Sequence, residues 1–310
     1  MSSIGTRKTR FLAALSCALA MLTASAIPQN APPSAGPAQA RYFARETVAQ
    51  LIDQLTLLDS RAPGIDSASL YVGFIADGSS GTFAVGVLGF PSPTVPPQMV
   101  ELVRRGPSVL PELVKHISDK RPTRMRVGNI ETGGAAGRVG VNSFSFTYFS
   151  DEYDPRFRER SGAGESQRIP PLEGGAERDF QGSYTVNVGD ICFVLIGQIV
   201  NRRLVAVRYQ PSGVLVVNSP IEAPILAEKV RRDWSTAGAE TLRASLLADI
   251  RGGNNPKWAD QSWYAMRTLY PALERLRFYF PESYRALNGS DARRKAAFEA
   301  QESEQKTKLR

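Results

Sequence analysis

Histidine and cysteine are the scarcest residues of this 310-residue chain, with one histidine, His116, and two cysteines, Cys17 and Cys192. A Ser-His-Asp or Cys-His arrangement would have to use His116 as its base. Zinc sites of the usual Cys-rich kind are excluded by count. No G-x-S-x-G elbow occurs, and the one S-x-x-K, Ser303 to Lys306, lies in a polar tail. Gly133-Gly134-Ala135-Ala136-Gly137-Arg138 lacks the lysine that a phosphate-binding P-loop needs. Asp151-Glu152-Tyr153-Asp154 lacks the alternating acids, glycine and closing glutamate of an EF-hand loop. The chain also has no uncharged apolar run of the roughly 20 residues that a membrane helix requires.

The N-terminal residues carry the most information. Arg7, Lys8 and Arg10 precede the apolar segment Phe11 to Leu22, and Ala24-Ser25-Ala26 closes it with small residues. That order is the pattern of a cleaved export signal, so residues 1–26 are expected to direct the chain to the periplasm or outside the cell. A retained N-terminal anchor is the rival reading. A lipid-modified Cys17 fits poorly, because Ala14 stands where leucine is usual and the apolar core would be cut in half. Cleavage after Ala26 would leave Cys192 as the sole thiol, so no internal disulfide could form and the fold would rest on its core. Cys192 lies within Ile191-Cys192-Phe193-Val194-Leu195-Ile196, the setting of a buried and inert thiol.

The chain has 38 Lys and Arg against 30 Asp and Glu, and remains mildly basic without the three cations of the signal. Outside the cytoplasm the expected partners are an envelope protein or an anionic envelope polymer, and not nucleic acid. Residues 27–40, Pro- and Ala-rich and uncharged, read as a flexible spacer. A helical domain is expected over 41–288, with a β/loop insert at about 125–183, followed by a charged stretch at 289–310 that reads as a frayed helix or disordered tail.

Val48, Leu51, Ile52, Leu55 and Leu58 recur at helical spacing. Leu70 to Phe90, with Asp77-Gly78-Ser79-Ser80-Gly81 at its centre, fits either a hairpin or a pair of loosely patterned helices. Pro96-Pro97 opens a helix carrying Met99, Val100, Leu102 and Val103, and Gly106-Pro107 breaks it. A second helix carries Val109, Leu110, Leu113, Val114 and Ile117 and ends at Asp119-Lys120-Arg121-Pro122. Within the insert, Phe144 to Phe149 alternates like a strand, and Ser161 to Arg178 has loop composition. The apolar run after Asp190 is favoured as a buried helix with Asp190 at its N-cap position, and a central strand is the competitor. Val205 to Asn218 reads as a hairpin, and Ser219-Pro220 as the start of a helix reaching Trp234. Further helices are expected at about Ala239 to Ile250 and Trp258 to Phe278.

Gly106 to Thr123, with its early proline, spaced leucines and Asp-Lys/Arg end, resembles a HEAT-type helical hairpin. Val188 to Arg202 and the C-terminal helices echo it, but no fixed period of about 40 residues runs through the chain. The resemblance implies a mainly α, irregular HEAT-like architecture, α+β overall once the insert is included. Val188-Gly189-Asp190-Ile191-Cys192-Phe193, Val207 to Pro211 and Val217 to Pro220 together resemble a group of exported bacterial proteins. That likeness implies no activity, substrate or catalytic residue.

No residue is nominated as catalytic, cofactor-binding or metal-binding, and no cofactor is implied. Arg202, Arg203, Arg231 and Arg232 are the densest basic doublets in the second half and stand as anion-binding candidates. For Arg202 and Arg203 a position at a helix C-terminus, facing the dipole, is the competing role. Trp234, Trp258, Trp263, Tyr264, Tyr270 and Tyr279 read as core and groove walls. The expected function is a non-catalytic protein-interaction or scaffolding module of the cell envelope. The alternative is a hydrolase that acts on a polysaccharide through two carboxylates, a mechanism that composition leaves open.

Overall fold

A computed structural model of the chain describes residues 43–59, 73–76, 95–128, 143–149, 166–168, 183–202, 204–209, 214–253 and 256–308. The export signal, the spacer, the Asp77–Gly81 turn, the Gly133–Arg138 and Asp151–Asp154 segments and Arg203 lie outside these residues. The described part is mostly helical, with small sheets.

The first apolar stripe forms helix α1, Val48–Gln54, continued by a 3-10 turn at Leu55–Leu57. Thr47 caps it reciprocally: its hydroxyl accepts from the Gln50 amide, and the Gln50 side chain accepts from the Thr47 amide. Helix α2, Pro97–Arg105, starts with proline at its first position, where a missing N–H costs nothing. It stops at Gly106, whose φ of 62° suits glycine. A Cβ at Gly106 would also lie 2.6 Å from the Tyr279 ring. A 3-10 turn then leads into α3, Leu110–Lys115. Met99, Leu102, Val103, Val109, Leu110, Leu113, Val114 and Ile117 are buried, as their spacing predicts.

Strand β1, Pro122–Gly128, pairs antiparallel with β4, Ser183–Asn187, so the insert begins and ends side by side. Between them β2, Ser143–Phe149, pairs with β3, Ser166–Arg168, inside the stretch read as a loop. The expected hairpin is present as β5, Val207–Tyr209, and β6, Val214–Val217. Strand β2 joins it parallel to β6, giving the order β3-β2-β6-β5. The insert therefore supplies a strand to a sheet encoded some 70 residues later, a pairing that no local pattern specifies.

The apolar run forms helix α4, Val188–Val200, buried at every position; its N-cap is Asn187, so Asp190 is not the cap but the third helical residue, whose carboxylate reaches back to the Asn187 amide. A helix apolar all round belongs in a core rather than at a surface. Helices α2 and α3 pack on it, as does α6, Ala239–Ile250. Helix α5, Pro224–Trp234, packs on α3. Its start corrects the expectation at Ser219-Pro220. The Ser219 hydroxyl accepts from the amides of Ile221 and Glu222, closing a turn, and the helix begins four residues after Pro220.

The helix expected over Trp258 to Phe278 is divided. A 3-10 segment, Pro256–Asp260, precedes a short turn α7, Ser262–Tyr264, then a π-helical turn, Ala265–Leu269, then α8, Tyr270–Tyr279. Pro271 accounts for the widening, because its ring would collide with the carbonyl of residue 267 in a regular α-helix. After α9, Pro281–Arg285, the charged end takes the helical one of its two expected forms over Gly289–Lys308, helix α10. Phe298 anchors it, buried with its ring 5.6 Å from that of Tyr270. Arg277 of α8 reaches both oxygens of Glu302, at 2.7 and 2.8 Å.

Candidate functional site

The polar chemistry of the described residues gathers at the two ends of α4 and on the loop that covers its first turn. At the N-terminal end the amides of Val188 and Gly189 donate to the carbonyls of Arg121 and Asp119, at 2.9 and 3.0 Å. Those donors have no partner within the helix, so the 119–121 loop supplies what the helix cannot. Gly189 permits the approach, since a Cβ there would sit 2.6 Å from the Ile117 carbonyl oxygen.

Asp190 lies beneath this loop with 0% exposure. Its Oδ2 accepts from the Tyr184 hydroxyl and the Asn187 amide, each at 2.9 Å, and its Oδ1 accepts from the Ser219 hydroxyl. Burial pushes its pKa up to about 6, and the hydrogen bonds from Ser219, Asn187 and Tyr184 limit the rise. Tyr184 is pushed far up in turn, by burial and by the carboxylate beside it. Serine, carboxylate and phenol in contact could suggest acid–base chemistry. Ser219 is however fully enclosed and ties down a turn with the same oxygen. The cluster joins β4, α4 and the 219–222 turn, and its carboxylate oxygens are both occupied.

At the C-terminal end Asn201 adopts the left-handed conformation, φ 60° and ψ 44°, and terminates the helix. Its amide side chain donates to Asp249 Oδ2 at 2.9 Å and to the Thr268 carbonyl, in the π-helical turn, at 3.0 Å. Arg202 is buried beside it. One guanidinium nitrogen donates to Asp249 Oδ2 at 2.6 Å and to the Asn201 carbonyl at 2.9 Å. The other reaches Ser245 Oγ, and the group lies 5.9 Å from the centre of the Trp234 ring. Arg275 is buried one turn back, donating to the Gln198 carbonyl and lying 4.7 Å over the Phe74 ring.

These positions separate the four arginine candidates. Arg202 is spent on a buried ion pair and on helix carbonyls, so it presents no surface to an anion; the competing role at the helix C-terminus is the one it fills. Arg231 reaches Ser118 on the 117–121 loop, and the exposed Arg232 pairs with its neighbour Asp233 at 2.9 Å. Arg202 and Arg231 therefore bond to different neighbours, at opposite ends of α4. Cys192 is buried, and burial raises its thiol well beyond the reactive range. Trp234 and Tyr264 are core residues, and Trp263, Tyr270 and Tyr279 are half-buried.

His116 stands at the end of α3 with a carboxylate at each ring nitrogen. Nδ1 is 2.9 Å from Asp119 Oδ2, and Nε2 is 3.3 Å from Glu112 Oε1. A ring held this way has no nitrogen turned toward a nucleophile, as a catalytic base requires. Arg121 grips Asp119 through Nε and one terminal nitrogen, and reaches Asp53 through the other at 2.7 Å. Partial burial raises Asp119, but the hydrogen bonds from Arg121 and His116 outweigh it and hold its pKa at about 2. Among the described residues no group of three or more His, Cys, Asp and Glu side chains is placed to hold a metal ion.

One surface feature went unread in the sequence. Lys120, Arg121, Arg124 and Arg126 are all exposed, while Thr123, Met125 and Val127 are buried. The signal was available as cations at alternate positions of a seven-residue segment without acid, Lys120 to Arg126. It becomes a face only once Pro122–Gly128 is known to be a strand.

Among the described residues no helix is long and apolar enough to cross a membrane. Compared with known proteins, the chain matches no family model, no curated protein and no solved structure.

Proposed function

We propose that this chain is an exported protein of the cell envelope that works without catalysis, as an interaction or scaffolding module built on irregular HEAT-like helical hairpins. The observation that carries the reading is the use made of the buried polar groups. Asp190, Arg202, Asp249 and Arg275 each bind helix ends, turns or one another, and each is 4% exposed or less. A hydrolase of the two-carboxylate kind needs its acids to face a substrate. Asp190 has the raised pKa of such an acid, but it faces Tyr184, Ser219 and a backbone amide. The export reading rests on Arg7 to Ala26, and the HEAT-like reading on Gly106 to Thr123.

Two measurements test it together. Fractionation of cells producing the full chain, with N-terminal sequencing, is expected to find it outside the cytoplasm and starting after Ala26. Incubation with acidic and neutral polysaccharides is expected to release no reducing ends. Retention in the cytoplasm would end the envelope reading, and release of reducing ends that scales with enzyme concentration would replace the module with a hydrolase.

A further inference from the structure

We propose that α10 is a releasable strap, docked on α8 and α9 through one phenylalanine and a set of ion pairs, that lifts off as a unit while the core stays folded. Phe298 is the one large apolar side chain in the twenty residues Gly289–Lys308. Helix α2, with nine residues, buries Met99, Leu102 and Val103, and α5 buries Leu226, Val230 and Trp234. Apolar stabilisation scales with the area removed from water, so α10 is held by far less of it than those helices.

Polar contacts supply the rest of the dock, and they reach water. Arg277 of α8 grips Glu302, and its guanidinium lies 5.1 Å from the centre of the Phe298 ring. The Tyr284 hydroxyl of α9 donates to Glu299 at 2.9 Å, with the Lys295 ammonium 4.5 Å from the centre of its ring. Arg251, just after α6, reaches Asp291 at 2.9 Å, and Arg294 reaches Asp260 at 3.4 Å. In the pairs of Arg251, Arg277 and Asp260 that partner is well exposed, so dissolved salt weakens each of them. The connection can turn: Ala286 and Asn288 are exposed, and Gly289 sits at φ 55° with nothing within 4 Å of where a Cβ would stand. What the strap covers is Tyr270, Arg277 and Tyr284, of the residue types on which protein interfaces most depend. As an interaction module, the reading on which this use of the seat rests, the chain keeps that surface covered until α10 leaves.

Hydrogen exchange of the full chain, followed by mass spectrometry at low and high NaCl, tests the strap. Amides of residues 294–302, in the middle of α10, are expected to exchange at least about tenfold faster than those of α4. Raising NaCl from about 0.05 M to about 1 M is expected to speed them at least about threefold relative to α4. Phe298→Ala is expected to speed them about tenfold further and leave α4 unchanged. Glu302→Gln, which keeps the anchor, is expected to speed them less and to reduce the response to salt. Glu240→Gln, which breaks an exposed pair on α6, is expected to change nothing in α10. Exchange of 294–302 in step with α4, indifference to salt, or fast exchange confined to the ends of the helix overturns the proposal. So does a Phe298→Ala variant in which α4 loosens equally, since α10 would then belong to the core. The two readings fail separately: exchange in step with α4 removes the strap alone, whereas polysaccharide hydrolysis removes the module and leaves the strap standing.

Discussion

At its first turn α4 leans on a carboxylate held by hydroxyls and an amide, while at its last turn the nearest carboxylate, Asp249, is held by a guanidinium. Both ends are buried, and both must satisfy backbone groups that the helix leaves open. The N-terminal end needs acceptors, and Asp190 with two loop carbonyls provides them. The C-terminal end needs donors, and Asn201 and Arg202 turn there to meet its requirement. The difference teaches where each end is fragile. A carboxylate among neutral partners is sensitive to pH. A carboxylate facing a permanent cation is sensitive to loss of its partner.

The largest effect is expected from Arg202→Met. It leaves Asp249 charged and buried without its guanidinium and uncovers the Asn201 carbonyl, so urea denaturation should show a loss of about 3–5 kcal/mol. Adding Asp249→Leu should recover part of that loss, because the stranded charge is then gone. A double variant as unstable as the sum of the two single ones would mean that the pair does not act as a unit.

Next comes the pH response of Asp190. Its pKa lies near 6 in the folded chain against an ordinary 3.8, so the folded state holds the proton more tightly. The proton-linked contribution is therefore full below about pH 4, falls as pH rises toward 6, and is flat above, a loss on the order of 2–3 kcal/mol. Asp190→Asn should abolish that fall in denaturation midpoints measured across the window. Asp119 works in the opposite sense and a different window: held at about 2, it stabilises above its ordinary 3.8 and loses that contribution as pH drops toward 2. An Asp190→Asn profile parallel to that of the wild type would contradict the assignment.

Gly189→Ala probes the loop over the N-terminal end. The added methyl meets the Ile117 carbonyl oxygen as well as the tip of the Ile221 side chain, and the backbone cannot turn aside as a side chain can, so a loss of about 1–3 kcal/mol is expected in thermal or chemical unfolding. Unchanged stability would show that the 117–121 loop yields freely. The smallest effect is expected from Asp53→Ala. Its pair with Arg121 is 2.7 Å long but exposed on both sides, and such pairs contribute about 0–1 kcal/mol. A larger loss would give this surface a weight comparable with the buried ends.

How much of this was legible depends on the distance over which each pattern acts. The stripe of α2 and α3, the hairpin at Val207–Val217, the alternation of β2 and the helix Ala239–Ile250 are local, and each lies where its spacing predicts. The run Ile191 to Val200 resolves as a helix because Asp190 and Asn201 supply a start and a left-handed stop. The Trp258–Phe278 region was expected as one helix and is divided, and the docking of the C-terminal helix was not foreseen, for opposite reasons. Pro271 perturbs a helix whose apolar spacing is regular, and a single phenylalanine, Phe298, anchors one whose composition is otherwise polar. The buried pair escaped reading altogether, since Arg202 and Asp249 stand 47 residues apart.

The amino-acid order by itself determined the locally patterned elements, such as α2, α3, α6 and the Val207–Val217 hairpin, where α2 must stop and which side of α2 and α3 turns inward. Those follow from spacing, proline and glycine, which act within a few residues. It also determined that Cys192 would be buried, from the apolar run around it. Only the tertiary structure decided which charges are neutralised inside and which remain on the surface. Arg202 and Arg124 are the same residue type in equally unremarkable surroundings. One is enclosed because α6 brings Asp249 against the end of α4, and the other is exposed because β1 turns its apolar residues to the core. Burial of a charge depends on a partner arriving from elsewhere in the chain, and that meeting exists only once the chain has folded.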